Sequence, residues 1–165
     1  MKITRLPVEI SQAMSEEDKR KIHITPSASE IEFARRFLII EAQKMYHPEE
    51  YYALVRGEKI PEKSQLIKLN PQLNRGVMIM KGRLDNLHSM PEQMKNPIIL
   101  PRVAKITEKI ILQHHQKSAH AGPELTLRQV RLYYWVQGGR QQVRKAIRRC
   151  GHWLCKYPNP QTAIH

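Results

Sequence analysis

Two short stretches contain the side chains of this 165-residue chain that are best suited to bind a metal ion. HHQKSAHAG runs from His114 to Gly122, and CGHWLC runs from Cys150 to Cys155 and holds both cysteines of the chain. Imidazole nitrogens and thiolates are preferred zinc ligands, and a structural zinc ion takes four of them in tetrahedral geometry. The two stretches therefore predict a zinc site with two histidine and two cysteine ligands.

The phase of the preceding helix chooses between the two adjacent histidines. At about 100° per residue, His115 falls on the same face as the apolar Ile111 and Leu112, whereas His114 points toward the flank. A ligand should lie on the inward face, so we expect His115 and His120 to be the histidine ligands. His120 lies past the end of the helix, where the chain can turn back toward the ion.

Cys150 and Cys155 complete the predicted zinc site, which is structural. Four residues separate them, a spacing inside the range zinc tolerates, but His152 lies between them and is a rival for one thiolate position. A disulfide would close a very small loop and stabilise little, so a reduced, metal-binding pair in a reducing compartment is expected. Four protein ligands leave no position for water, and the site should therefore hold the fold without doing chemistry.

The charge of the chain predicts a polyanionic partner. Its 28 Lys and Arg and 15 Asp and Glu give +13, and residues 100–165 hold 12 basic residues but only two acidic ones, Glu108 and Glu124. Phosphate backbones are the commonest partner of such a surface, although charge alone does not separate DNA from RNA or an acidic membrane. The predicted contacts are Arg128, Arg131, Arg140, Arg144, Lys145, Arg148 and Arg149. The arginines could instead bind an acidic protein.

The order of the patterns predicts four segments. Residues 1–26 are expected to be a flexible tail, 27–99 a helix-plus-hairpin lead-in domain, 100–157 the zinc-binding domain and 158–165 a second tail. In the lead-in, a Ser27–Glu30 or Ser29–Glu32 capping box precedes a helix whose packing face should be Ala34, Phe37, Leu38, Ala42 and Met45. Pro48 starts a short helix that Gly57 closes.

Alternating apolar residues around Asn74-Arg75-Gly76 predict a hairpin with strands near Leu66–Leu73 and Val77–Arg83. Residues 85–101 look like a proline-punctuated connector. Three helices should follow, at Thr107–Ala119, from Gly122-Pro123 to about Tyr134, and at Arg140–Arg149. The fold class is therefore mainly α with a small β-hairpin, the last part being a zinc-stabilised three-helix bundle of helix-turn-helix type.

The sequence also predicts where the chain resides. The first residues lack an apolar core of signal-peptide length, and no run approaches membrane-spanning length. We expect a soluble intracellular protein without a membrane or small-molecule partner.

The last third resembles the zinc-binding N-terminal domain of retroelement integrases, and looks closest to BEL/Pao-type retrotransposon polyproteins. The similarity rests on HHQKSAHAG, Thr126, Tyr134-Trp135, Gly139-Arg140 and VRKAIRRC, and upstream on IEFARRFLIIEAQ and LNRGVMIMKGRLDN. The resemblance implies contacts with element-end DNA and with other integrase subunits, in the cytoplasm and nucleus. The family usually places two residues between its cysteines, and this chain has four.

The resemblance also sets an expectation about catalysis. The family's integrases continue into a core in which two aspartates and a glutamate bind metal, and this chain has only Asp18 and Asp85 and no carboxylate after Glu124. We therefore expect a binding module that does not cut or join DNA by itself. The alternatives are an enzyme fragment that works only within a longer integrase, and a domesticated or degenerate retroelement protein that binds protein partners through its basic helical surface.

Overall fold

The computed structural model describes residues 26–82 and 91–151. The chain divides into two compact units, Met1–Ala34 and Arg35–His165, which are described separately. The expected tails, together with the end of the second hairpin strand, lie outside the described residues.

The described part of the first unit is the start of helix α1 (Ala28–Tyr46), which opens with the predicted capping box. The Ser27 backbone N–H donates to the Glu30 carboxylate at 2.8 Å, and the Glu30 N–H donates to the Ser27 hydroxyl at 3.3 Å. These reciprocal bonds satisfy two amide groups that the helix itself cannot pair. The bond from the Ser27 N–H also lowers the pKa of Glu30.

The packing face predicted for α1 is wrong at four of its five residues, and Ala42 is the one that the structure buries. The residues buried in the structure are Ile39, Ala42 and Gln43, whereas the side chains of Phe37, Leu38 and Met45 are 55%, 51% and 71% exposed. The helix carries apolar residues around most of its circumference, so periodicity alone did not distinguish the two faces.

Helix α2 (Pro48–Val55) begins and ends as the sequence predicts. Pro48 occupies its first turn, where no N–H is needed. At its end, Gly57 has φ +72°, the Gly57 N–H donates to the Leu54 carbonyl, and the Glu58 N–H donates to the Ala53 carbonyl. This pair of bonds is a Schellman motif, with glycine in the left-handed position that it usually requires.

The predicted hairpin is present but shorter than expected. Strand β1 (Pro71–Asn74) pairs antiparallel with β2 (Val77–Met80), and Arg75 and Gly76 form the two-residue turn with φ of 47° and 81°. Residues Ile67–Leu69, predicted to be part of the first strand, form a 3-10 helix instead. The left-handed Asn70 then redirects the chain into β1.

The hairpin is half of a four-stranded sheet of order β1-β2-β3-β4. The predicted connector contains the short helix α3 (Glu92–Lys95) and strand β3 (Ile98–Leu100), which lies antiparallel to β2. Strand β4 (Tyr134–Val136) pairs parallel with β3, in register from Ile98↔Tyr134 to Leu100↔Val136. The second predicted helix therefore ends before Tyr134. A mainly helical fold with a small sheet is confirmed.

Gln43 joins α1 to this sheet. Its side chain is fully buried; its amide nitrogen donates to the Met78 carbonyl at 2.9 Å and the Ile99 carbonyl at 2.7 Å, and its amide oxygen accepts the Met78 N–H at 2.8 Å. One side chain thus satisfies three buried backbone groups on β2 and β3, which otherwise would be costly to bury.

Three helices lie between and after β3 and β4: α4 (Lys105–Lys117), α5 (Pro123–Arg131) and α6 (Gly139–Ile147). They contact one another, and their apolar faces form the main core with residues of the sheet. The core residues from these helices are Ile110, Ile111, Leu127, Val130, Val143, Ala146 and Ile147. This packing fixes the end of α4 and the end of α6, where the predicted ligands His115, His120 and Cys150 lie.

Candidate metal centre and nucleic-acid surface

His115 lies on the buried face of α4, as helical phase predicts. Its side chain is completely buried. Its neighbour His114 is half-buried beside the rings of Tyr133 and Tyr134, with ring centroids 6.1 and 5.9 Å away. Burial lowers the pKa of His114, and the nearby charges of Lys117 and Arg35 act in the same direction. The two adjacent imidazoles thus occupy different environments.

The end of α4 brings His120 back to His115 through a second Schellman motif. The Ala119 N–H donates to the Gln116 carbonyl at 3.0 Å, and the His120 N–H donates to the His115 carbonyl at 2.9 Å. In this motif one hydrogen bond spans five positions of the chain, and the side chains of the two residues that it joins commonly touch. Here those two side chains are imidazoles, perpendicular to each other with centroids 5.0 Å apart.

Cys150 reaches the two histidines from the other end of the domain. It follows α6, and its Sγ lies 3.3 Å from His120 Nδ1. One ligand atom from each of His115, His120 and Cys150 lies within 4.8 Å of the others. Zinc–nitrogen bonds of about 2.1 Å and zinc–sulfur bonds of about 2.3 Å fit this separation. Two nitrogen donors and a sulfur donor therefore lie close enough together to bind one zinc ion.

The surroundings of His115 determine which of its nitrogens can bind a metal. Nδ1 lies 3.0 Å from the Ala121 carbonyl oxygen. A carbonyl only accepts, so Nδ1 carries the proton and Nε2 keeps its lone pair. The buried Thr126 hydroxyl donates to the same carbonyl at 3.3 Å and lies 3.4 Å from Nδ1. A histidine ligand of zinc typically has such a carbonyl partner on its second nitrogen.

The other predicted ligand, Cys155, and its rival His152 lie beyond Gly151, the last residue that the structure describes. The choice between them stays a prediction. Thr126 was not predicted as part of the site, although it belongs to the motif that carried the resemblance.

The structure places five of the seven predicted nucleic-acid contacts along one groove. This groove has a volume of about 970 Å³ and is lined by Arg131, Arg140, Arg144, Lys145 and Arg148 among others. Arg128 and Arg149 are not among its lining residues. The sequence did not predict Arg102, which also lines the groove and contacts α6 from the turn after β3.

The two acidic residues of 100–165 pair with arginines, Glu124 with Arg140 of α6 and Glu108 with Arg149, which follows α6. Arg140 Nε lies 3.2 Å from Glu124, and Arg149 binds both carboxylate oxygens of Glu108 at 2.7 and 2.8 Å. Such pairs, made with carboxylates from other helices, are not visible in the sequence of α6 alone. Arg149 is therefore already occupied by a carboxylate, and Arg140 partly so.

Comparison with known proteins identifies the same segment. Residues 103–156 match the family model of the integrase zinc binding domain, and this range contains every predicted metal ligand. The chain therefore contains an integrase-type zinc-binding domain, and this family binds zinc. Neither a curated protein nor a solved structure gives a match. Within residues 26–82 and 91–151, no helix has both the length and the apolar character needed to cross a bilayer.

Proposed function

We propose that this chain is a zinc-stabilised module of a retroelement integrase that binds nucleic acid and takes part in assembly.

The zinc is held by His115, His120, Cys150 and Cys155. Helices α4, α5 and α6 form the three-helix bundle of helix-turn-helix type that the ion stabilises. The range 100–157 is the zinc-binding domain, and 27–99 is the lead-in domain.

The convergence of His115, His120 and Cys150 carries this proposal. His120 and Cys150 are thirty positions apart in the sequence, and their side chains meet only because α6 packs against α4. A cluster of two imidazoles and a thiol is typical of a structural zinc site, and His115 is fully buried in this one. The match of residues 103–156 to the integrase family supports the same interpretation.

The proposed role is binding and not catalysis. Four protein ligands would leave no open coordination position, so the ion would stabilise the fold without activating water. The cations along the groove favour phosphates. Contacts with other integrase subunits follow from the likeness to the family alone, and the retrotransposon origin rests on the resemblance described above.

Metal analysis of matched variants tests the zinc site. We expect one zinc per chain in the unmodified protein and in His114→Ala, and a strong loss of zinc in His115→Ala. These two histidines are neighbours on one helix turn, so the pair controls for a general effect of removing an imidazole. Equal zinc content in both variants would contradict the assignment of His115.

The fourth ligand is tested by Cys155→Ala against His152→Ala. If Cys155 binds the ion, its removal should lower the affinity for zinc, while removal of His152 should leave it unchanged. The opposite result would assign the position to His152. Chelation of the unmodified chain should also reduce its helical circular dichroism, because metal binding and folding are coupled in small zinc domains.

Nucleic-acid binding is tested by salt titration with duplex DNA. Each phosphate contact made by a cation contributes about −0.9 to the slope of log K against log salt concentration. We expect several such contacts and therefore a steep slope. Absent binding, or binding that does not respond to salt, would favour an acidic protein as the partner.

A further inference from the structure

The basic groove has an apolar part that binding to phosphates alone does not explain. The groove is lined by Arg102 and Val103 from the turn after β3, by Arg131 at the end of α5, by Trp135 and Val136 of β4, and by the first turns of α6. Cations, the exposed Val103 and the half-buried Trp135 and Val136 thus line one groove with a volume of about 970 Å³.

Most cations of the groove have no acidic partner within residues 26–82 and 91–151. None of the described residues that line the groove carries a carboxylate. Among the residues that the structure describes, no ion pair involves Arg131, Arg144, Lys145 or Arg148. Arg140 is the exception, because it pairs with Glu124. Like charges held this close without counter-charges favour an anionic ligand.

Arg102 is held in position by uncharged groups. Its guanidinium donates to the Gln141 side-chain oxygen at 2.7 Å. With the Gln142 amide in its better-satisfied orientation, the Arg102 Nε donates to the Gln142 oxygen at 2.9 Å, and the Gln142 amide donates to the Arg102 carbonyl at 3.2 Å. Amides orient the guanidinium without neutralising it. Arg102 therefore keeps its full charge at the groove.

The apolar part of the groove is formed by Trp135, Val136 and Val103. Trp135 packs against the small cluster of Leu66, Met78 and Ile99, and it also lines the groove. Val103 is 65% exposed, although it is a large apolar residue. An aromatic ring fixed on a strand beside several cations is the arrangement that binds unpaired nucleic acids, in which bases stack on the ring and phosphates follow the cations.

We propose that this groove binds an unpaired nucleic-acid strand, with a base against Trp135 and the neighbouring phosphates against Arg102, Arg131 and the cations of α6. This inference deepens the proposed function, on which it rests, by naming the form of nucleic acid. A duplex presents its phosphates but keeps its bases stacked in pairs, so it would contact the cations and leave Trp135 uncovered.

Tryptophan fluorescence of the full, zinc-loaded chain tests the stacking. The chain has two tryptophans, so Trp153→Phe leaves Trp135 as the one reporter. We expect a 12-nucleotide oligothymidylate to quench its emission, and an abasic strand of the same length to leave it unquenched. The base-containing strand should also bind roughly 5- to 150-fold more tightly, as expected for one stacked base. Equal affinity for the two strands without quenching would overturn the proposal.

Arg102→Ala tests the cationic part against Lys109→Ala, which removes an exposed cation of α4 that does not line the groove. For single strands each phosphate contact contributes about −0.7 to the salt slope. We expect Arg102→Ala to make the slope less steep by about this amount and Lys109→Ala to leave it unchanged. Zinc content and circular dichroism confirm that each variant is folded. The same slope in both variants would contradict the role of Arg102.

Duplex DNA separates the two proposals. If the duplex binds with a steep salt dependence but the unpaired strand neither binds more tightly than its abasic form nor quenches Trp135, the proposed function stands and this inference fails. If neither nucleic acid binds, both fail.

Discussion

His115 and His120 are joined by the hydrogen bond that spans five positions in one Schellman motif: the His120 N–H donates to the His115 carbonyl at 2.9 Å, and the two imidazoles lie perpendicular with centroids 5.0 Å apart. Their separation of five positions is therefore the spacing that this helix end brings together. The backbone of a common helix terminus thus brings two of the four predicted metal ligands together.

The same motif predicts the effect of Ala119→Gly. Ala119 has φ 52°, in the left-handed region where a Cβ costs about 1–2 kcal/mol. We expect glycine to raise the free energy of unfolding by about 1 kcal/mol, since part of the gain is offset by the greater freedom of glycine in the unfolded chain. Urea unfolding of the zinc-loaded protein measures it.

Gly57→Ala is the reciprocal control, because Gly57 occupies the same position at the end of α2 with φ +72° and no atom within 4 Å of an added Cβ. We expect Gly57→Ala to lower the free energy of unfolding by about 1 kcal/mol. If both substitutions changed stability in the same direction, the argument from the left-handed backbone would be wrong.

Replacing Gln43 should weaken the connection between α1 and the sheet. Gln43→Leu keeps a similar volume but leaves the Met78 N–H and the carbonyls of Met78 and Ile99 without this partner. Each unsatisfied buried group costs about 1–3 kcal/mol, so we expect a loss of at least about 3 kcal/mol in chemical unfolding. Gln116→Ala, at an exposed position of α4, should change stability by no more than about 0.5 kcal/mol. A comparable loss in both variants would contradict the bridging role.

Removing the acidic partner of Arg140 should strengthen binding to nucleic acid more than removing the acidic partner of Arg149. Glu124→Gln releases Arg140, which lines the groove, whereas Glu108→Gln releases Arg149, which does not. Both changes raise the net charge by one, so their difference isolates position from charge. We expect the larger gain in affinity from Glu124→Gln, measured by fluorescence anisotropy at several salt concentrations. Equal gains would mean that total charge and not the groove governs binding.

His47 should make stability depend on pH. Burial lowers its pKa below the ordinary value of 6.5, and Glu50 opposes this shift. Below pH 6.5 the unfolded chain therefore binds the proton more readily, so the stability that neutral His47 contributes is present above 6.5 and is lost as pH falls toward its folded pKa. Glu49 and Lys63 line the same pocket as His47 and Glu50.

The comparison of the unmodified chain with His47→Gln isolates this contribution, because the zinc site and all other groups titrate in both. We expect the stability advantage of the unmodified chain over the variant to be larger at pH 7.5 than at pH 5.5 in urea unfolding. An advantage that is the same at both pH values would exclude the proposed titration.

Local patterns in the sequence determined the features that depend on neighbouring residues. The capping box of Ser27 and Glu30, the start of α2 at Pro48 and the turn at Arg75-Gly76 each follow from the backbone preferences of a few adjacent residues, and the structure shows all three. Helical phase likewise separated the buried His115 from His114, because a helix of known direction fixes the relative orientation of consecutive side chains.

Only the tertiary structure decided the features that depend on distant residues. Strands β3 and β4 are each three residues long, and α4 and α5 separate them in the sequence. They are strands because they pair with each other, and three residues are too few to show a period-two pattern in the sequence. The buried face of α1 is the one from which Gln43 forms hydrogen bonds with the backbone of β2 and β3. The meeting of Cys150 with His120 depends on how α6 packs against α4. Arg102 and Trp135 line one groove because β3 pairs with β4. In both cases long-range packing and not local preference sets the distance between residues far apart in the chain.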